Sequence, residues 1–317
     1  MNVLILGATG FIGANFLKKF SKKKINITAV HFKRDPWLNK KNINWIRGDL
    51  RNQNFCNKIL KDQDLVIQAA ATTSGAKDII NKPYLHVTDN AVMNAYLIQS
   101  SFDNKVKKFI FFSCTVMYQN SKKPLREIDF DPKKKLYDKY FGVANTKLYI
   151  EKLCEFYSRY RKVKFTVIRH SNVYGPNDKY DLEKSHFFGA TITKVITAKD
   201  KITVWGKGLE KRDMLYVDDL IKFTEKAIKK QKNYYEIYNC GSGEAIPVIQ
   251  IIKKIIKHSK KNIKIIHDLT QPTINTSLSL NCDKAKKELN WKNLTSLDKG
   301  IIKTIDWYKK NIINVRK

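Results

Sequence analysis

The chain has 317 residues, 61 Lys and Arg against 29 Asp and Glu, a formal net charge of +32 and 43% hydrophobic content. That length and apolar fraction exclude a disordered basic tail and predict one large α/β domain with an appended lobe, or two domains. The charge first points to an acidic partner, yet only nine of the basic residues are Arg and the lysines spread along the whole chain, which reads as a solvated surface and not as a specific nucleic-acid footprint.

The first thirty residues carry the strongest pattern. Val3-Leu4-Ile5-Leu6 is an apolar run of the kind a buried parallel strand shows. Gly7-Ala8-Thr9-Gly10-Phe11-Ile12-Gly13 follows, and then a helical spacing through Phe16, Leu17 and Phe20. In a strand–turn–helix of this form Gly7 allows the tight turn, Gly10 lets a pyrophosphate approach the backbone, and Gly13 lets the helix pack on the sheet. The unpaired N–H groups of the helix start, beside Thr9, Phe11 and Ile12, then face the phosphates. A dinucleotide cofactor is expected here.

The second strand, Ile25 to His31, bears on which dinucleotide. NAD sites place an acidic residue near its end to hold the ribose 2′-hydroxyl. Here the chain reads His31-Phe32-Lys33-Arg34-Asp35-Pro36. Lys33 and Arg34 can pair with a 2′-phosphate, and Asp35, preceding a proline, belongs to the turn. NADP is favoured over NAD.

Strand–helix alternation continues. Ile43 to Arg47 reads as a strand ending at Gly48-Asp49-Leu50, and Leu65-Val66-Ile67 leads into the small residues Ala69-Ala70-Ala71, which allow close approach to a cofactor. A helix is predicted over Asn90 to Ser101, a strand over Lys108 to Phe112, a long helix over Val143 to Tyr160 and a strand over Phe165 to Arg169. This is a doubly wound parallel sheet of the Rossmann type, with sites at the C-terminal ends of its strands. Beyond about residue 175 the pattern breaks into loops and short elements, with helical stretches near 218–230 and 247–259. The expected division is a dinucleotide-binding domain over 1–172 and a smaller, interleaved substrate lobe over 173–317.

Five cysteines (56, 114, 154, 240, 282), odd in number and without a CxxC pair, fit reduced thiols in a cytoplasmic protein and no metal site. No apolar run approaches the length needed to span a bilayer.

The order of these motifs, with Arg169-His170-Ser171-Asn172-Val173-Tyr174-Gly175-Pro176 and Arg212-Asp213-Met214-Leu215-Tyr216-Val217-Asp218-Asp219, resembles the extended short-chain dehydrogenase/reductases, the NAD-dependent epimerase/dehydratase family. Within it, residues 177–194 and Val204-Trp205-Gly206-Lys207-Gly208 look most like the GDP-L-fucose synthases. The resemblance implies a nicotinamide cofactor, a nucleotide-diphosphate sugar as substrate, a homodimer, and cofactor contacts from Asp49, Leu50, Ala69, Ala70 and Lys147. It also implies that Arg212 meets the diphosphate, and that Asn172 and Trp205 line the sugar pocket.

In that family a Tyr and a Lys stand four residues apart on one helix face, and the ammonium stabilises the phenolate that moves a sugar hydroxyl proton. Lys147 fits the lysine, but Val143 stands four residues before it and cannot transfer a proton. Tyr140 lies seven residues before Lys147 on the same face, about 10.5 Å along an ideal axis, and can substitute if the helix starts irregularly. It can equally be an ordinary packing tyrosine. The family serine position falls on Cys114, flanked by Ser113 and Thr115, and either hydroxyl or the thiol can serve. The thiol used for double epimerisation falls on Val116, whereas the partner histidine falls on His186, which is left as a single acid or base or as a substrate hydrogen-bonding group.

Three functions fit these residues: an NAD(P)-dependent reductase or epimerase of a GDP- or related deoxysugar, a UDP-sugar 4-epimerase holding NAD tightly, and a catalytically silent NADP-binding protein. Val143 keeps the last open.

Overall fold

Strand β1 (Asn2–Leu6) is almost wholly buried, and it runs through the middle of a parallel sheet. The computed structural model describes residues 1–73, 75–271 and 273–311. With β2 (Asn26–His31), β3 (Ile43–Arg47), β4 (Leu65–Gln68), β5 (Lys108–Ser113) and β6 (Lys164–His170), β1 forms most of a seven-stranded sheet. After β7 (Asn172–Tyr174), β8 (Lys201–Trp205), β9 (Lys211–Arg212) and β10 (Met214–Tyr216), the chain returns as β11 (Tyr235–Cys240) and closes that sheet beside β6. The order is β11-β6-β5-β4-β1-β2-β3, and every pairing is parallel. Strands enclosed on both faces read as continuous apolar runs, which is why β1, β4 and β5 were legible as strands.

Helices cover both faces. α1 (Phe11–Phe20) packs on one face together with helices that come later in the chain, while α2 (Gln53–Ile59), α3 (Ala76–Asn81), α4 (Thr88–Asp103) and α5 (Phe141–Ser158) follow the strands in turn. Phe16, Leu17 and Phe20 of α1 share a core with Leu220 and Phe223 of a later helix. On the opposite face Ile59, Met93, Leu97, Ile150 and Cys154 share a second core. The strand order reverses between β1 and β4, and the crevice beyond the strand ends at this switch point is where a doubly wound fold receives its ligand.

Two predicted helices begin earlier than expected. A 3-10 turn over Pro83–His86 leads directly into α4, and another over Asp138–Tyr140 leads into α5, so each helix gains a preceding turn. The region after residue 175 is also more regular than the expected loops and short elements. It holds α6 (Phe187–Thr197), α7 (Val217–Lys230), β12 (Ile246–Pro247), α8 (Val248–Ser259), β13 (Lys264–Asp268), α9 (Asp283–Leu289) and α10 (Leu297–Lys310). Short strands paired only two at a time (β8 with β13, β7 with β10, β9 with β12) hide the pattern there. A third core of Tyr174, Phe188, Ile192, Ile251, Ile255 and Ile305 binds this lobe together.

Candidate active site

A cleft of about 1180 Å³ opens at the C-terminal ends of β1, β2, β4, β5 and β6, between the large sheet and the α6–β8–α8 lobe. Its floor is the turn from β1 into α1. Gly7 has φ +69°, and a Cβ there would stand 2.7 Å from the Ala70 Cα, so only glycine admits this turn against the end of β4. A Cβ at Gly10 would meet only the Gly7 carbonyl and would otherwise project into the cleft, so its absence leaves a backbone surface for a ligand. Gly13 does not reach the cleft wall as a cofactor contact: a Cβ there would lie 2.2 Å from the Gly7 carbonyl oxygen, and its smallness serves the packing of α1 beneath the turn. α1 starts without a side-chain cap, so its first-turn N–H groups keep their hydrogen-bonding capacity beside Thr9, Phe11 and Ile12 on the wall.

The chain leaving β4 is pinned from below. Gln68 accepts from the Ala70 amide and donates to Asn94 (3.1 and 3.0 Å), while Asn90 accepts from the Thr72 amide and donates to the Thr72 carbonyl (both 3.0 Å). Ala69 and Ala70 are thereby held along the cleft. Asp49 and Leu50 form the wall beyond β3, where Arg51 donates to Asp49 (2.7 Å) and to Asp89 (3.0 Å), and this guanidinium lowers the Asp49 carboxyl below the usual carboxylate range.

Lys33 and Arg34 sit at the end of β2 on the same wall. The His31 imidazole Nδ1 donates to the Arg34 carbonyl at 2.7 Å and fixes the bend. Among the described residues neither cation has a carboxylate within ion-pair distance. The glycine cradle, free helix amides and two cations outside any ion pair, Lys33 standing near Asp49, fit a dinucleotide.

The proton-handling candidates converge opposite this cradle. Cys114, Thr115, Tyr140, Val143 and Lys147 all line the cleft. Lys147 donates to the Phe112 carbonyl at 2.9 Å and stands 4.7 Å from the Phe111 ring centroid, which fixes its ammonium at the end of β5. Burial lowers its pKa, opposed by Cys114 and Glu151. Burial raises the Cys114 thiol, with the Lys147 charge acting against it. Tyr140 closes the 3-10 turn before α5, with φ −101° and ψ −1°, so it lies off the regular helix. Its phenol is close enough to Arg212 and Cys114 for both to act on its ionisation; burial dominates and raises its pKa. Tyr140 and Lys147 therefore both stand near the cysteine, and Val143 contributes only wall.

On the lobe side, Asn172, His186, Trp205 and Arg212 line the cleft. Arg212 donates to the carbonyls of Thr276 and Ile274, the latter at 2.8 Å, which aims its guanidinium without neutralising it. Asn172 donates to the Asp213 carbonyl at 3.1 Å. His186 is exposed to the cleft, and the protein atoms near its ring, with the Lys179 and His86 charges adding to them, lower its pKa. Its imidazole is neutral near pH 7.

Ser113, one of the two hydroxyls the sequence offered beside Cys114, donates to Glu151 at 2.6 Å, and Glu151 pairs with Arg169 at 2.6 Å, both charges buried near Cys114. Other residues of the site had no signal in the sequence. Asp178 is buried on the cleft wall with its pKa raised to about 7 by that burial. Lys179 reaches across to the Thr73 carbonyl at 2.8 Å. A buried charge was foreseeable only from Arg169 at a strand end.

A family model described as NAD dependent epimerase/dehydratase family matches residues 3–241. A GDP-L-colitose synthase of Yersinia pseudotuberculosis is 26% identical over 313 residues, covering 97% of this chain and 98% of the relative. A GDP-L-fucose synthase of Sinorhizobium fredii is 29% identical over 278 residues, covering 83% and 85%. Among solved structures, UDP-glucose 4-epimerase of Thermotoga maritima with UDP-glucose superposes with a TM-score of 0.87 at 24% identity, covering 98% of this chain and 100% of that one. UDP-glucuronic acid 4-epimerase of Bacillus cereus with NAD gives 0.79 at 25% identity, covering 98% and 97%. Given the glycine cradle at a topological switch point and a family match over most of its length, the chain belongs to the NAD dependent epimerase/dehydratase family.

Proposed function

We propose that the protein is an NADP-dependent reductase or epimerase of a GDP-linked or closely related keto-deoxysugar, with residues 1–172 carrying the cofactor and 173–317 mainly the sugar nucleotide. The observation that carries this reading is the convergence of Lys147, Cys114 and Tyr140 on one side of the cleft with Arg212 and His186 on the other. The two relatives named for GDP-sugars support the nucleotide, and Lys33 and Arg34 support NADP.

The dinucleotide, when bound, supplies hydride chemistry. Tyr140 gives its phenolic proton to the sugar oxygen as a carbonyl becomes a hydroxyl, and Lys147 holds positive charge beside the oxygen while that proton moves. Thr115 or Cys114 donates a hydrogen bond to the same oxygen. Neutral His186 can take a proton from the carbon next to the carbonyl and, as the imidazolium so formed, return it to the enolate once the ring has turned; Val116 offers no thiol as a second acid–base group, which favours change at a single stereocentre. Arg212, held by carbonyls, pairs with the diphosphate. The protein acts in the cytoplasm as a homodimer, a reading supported by the aromatic side chains Tyr149, Phe156 and Tyr160 left exposed on and just after α5.

The test is NADPH or NADH oxidation with GDP-linked keto-deoxysugars, with the product stereochemistry read by NMR. Turnover with NADPH preferred is the expected result. Interconversion of UDP-sugars by protein purified with NAD would replace it by a 4-epimerase, and intact cofactor binding without turnover on any nucleotide sugar would leave a binding protein.

A further inference from the structure

We propose that Lys179, carried by the substrate lobe, is a phosphate-binding residue of the dinucleotide site that closes over the cofactor from the far side of the cleft. This rests on the dinucleotide reading above and adds to it a cation from outside the glycine turn and β2.

The loop after β7 crosses to the large sheet in three places. Asn15 of α1 donates to the Pro176 carbonyl at 2.8 Å, so the loop is seated on the first helix. Lys179 then extends over the cleft and donates to the Thr73 carbonyl at 2.8 Å, beyond β4. At Gly75 the two sides meet so closely that a Cβ would stand 2.6 Å from the Ser185 carbonyl. Lys179 thus spans the groove between the β1–α1 turn and the β4 exit, the groove in which a dinucleotide lies in this fold.

Its charge is not spent there. Lys179 is half-buried; among the described residues its ammonium donates to a neutral carbonyl and no carboxylate lies within ion-pair distance of it, while its backbone N–H donates to Asp178 at 2.7 Å. Arg34 lines the same cleft, also without a carboxylate partner, and is near enough to repel Lys179. Asp178 and Asp181 stand near enough to offset part of that repulsion, but among the described residues neither pairs with the Lys179 ammonium, and two cations from opposite lobes facing one cleft is an arrangement that a phosphate stabilises. By contrast, Arg51 is consumed by Asp49 and Asp89, and it is not available to the ligand.

The experiment is calorimetric titration of the full chain with NADP⁺ and with NAD⁺, for wild type, Lys179→Met, Lys179→Gln and Lys179→Arg. The glutamine keeps a donor for Thr73 but removes the charge, which separates the phosphate role from the strap. Loss of about tenfold or more in affinity for NADP⁺ alone in the Met and Gln variants places Lys179 on the 2′-phosphate. An equal loss for both dinucleotides places it on the pyrophosphate, and in either case Lys179→Arg retains most of the affinity. Unchanged affinity for both in Lys179→Met, or full affinity in Lys179→Gln, overturns the proposal. Failure of wild type to bind either dinucleotide is a different result, and it would remove the cofactor reading itself.

Discussion

The Glu151 carboxylate and the Arg169 guanidinium meet at 2.6 Å, and both residues are at most 5% exposed. Glu151 lies one helical turn beyond Lys147, and the same carboxylate accepts from Ser113, the residue before Cys114. The pair therefore ties the helix that carries Lys147 to the strand end that carries the cysteine. Tyr118 and Asn239 extend it, with Arg169 donating to the Tyr118 hydroxyl at 2.9 Å and that hydroxyl donating to Asn239 at 3.0 Å. Glu151→Ala leaves a buried guanidinium without its counter-charge and is expected to cost about 3–5 kcal/mol, whereas Glu151→Leu with Arg169→Met costs less. Urea denaturation of the three proteins checks the order; equal losses would contradict it.

On the proposed mechanism Tyr140 moves the proton, and Val143 only lines the wall. Tyr140→Phe is expected to lower kcat about 100-fold or more, within the range typical of lost proton transfer, with little change in the melting temperature. Adding Val143→Tyr to that variant places a phenol one turn from Lys147 and is expected to restore part of the rate. Steady-state kinetics on the two proteins decide it. Unchanged turnover in Tyr140→Phe would take the residue out of the chemistry.

The turn at Gly7 tolerates no side chain. Gly7→Ala combines a φ of +69° with a Cβ 2.7 Å from Ala70, and it is expected to cost at least about 1–2 kcal/mol and to weaken dinucleotide binding by moving the β4 exit. Gly13→Ala drives a methyl into the Gly7 carbonyl at 2.2 Å and acts on the same turn from below. Thermal melts with and without NADP⁺ read both losses.

Asp178 makes stability depend on pH. Its folded pKa of about 7 lies above the ordinary 3.8 because burial disfavours the anion. The folded state then holds its proton more tightly than the unfolded chain. No penalty exists below about pH 4; it grows as pH rises and is complete above about pH 7, with a ceiling on the order of 4 kcal/mol. Asp178→Asn is expected to raise the melting temperature at pH 8 and to leave it nearly unchanged at pH 4. A uniform shift at both pH values would show that the carboxyl is not the source.

How far the sequence could be read depended on whether partners lay close along the chain. The β1–turn–α1 unit needed only the run from Val3 to Phe20, and its strand, turn and helix were legible together. Val143 was legible as a departure because its relation to Lys147 is one helical turn. On the cleft's other half the motifs gave Asn172, His186, Trp205 and Arg212, but not the contacts across it, since Lys179 finds Thr73 over a separation of 106 residues and Glu151 and Arg169 sit on different elements. The lobe's two-stranded pairings lack the long apolar runs of the large sheet, and so its strands passed for loops.

The position of β11 has a consequence for how the chain is made. Its partner β6 ends at His170, but β11 begins only at Tyr235. During synthesis the growing sheet therefore presents β6 as an open hydrogen-bonding edge until some seventy further residues have emerged, at roughly 5–20 residues per second. For those seconds the apolar run Phe165–Ile168 is a template for pairing with another nascent chain. The dense lysine of the surrounding sequence gives neighbouring chains on a polysome a mutual repulsion during that interval.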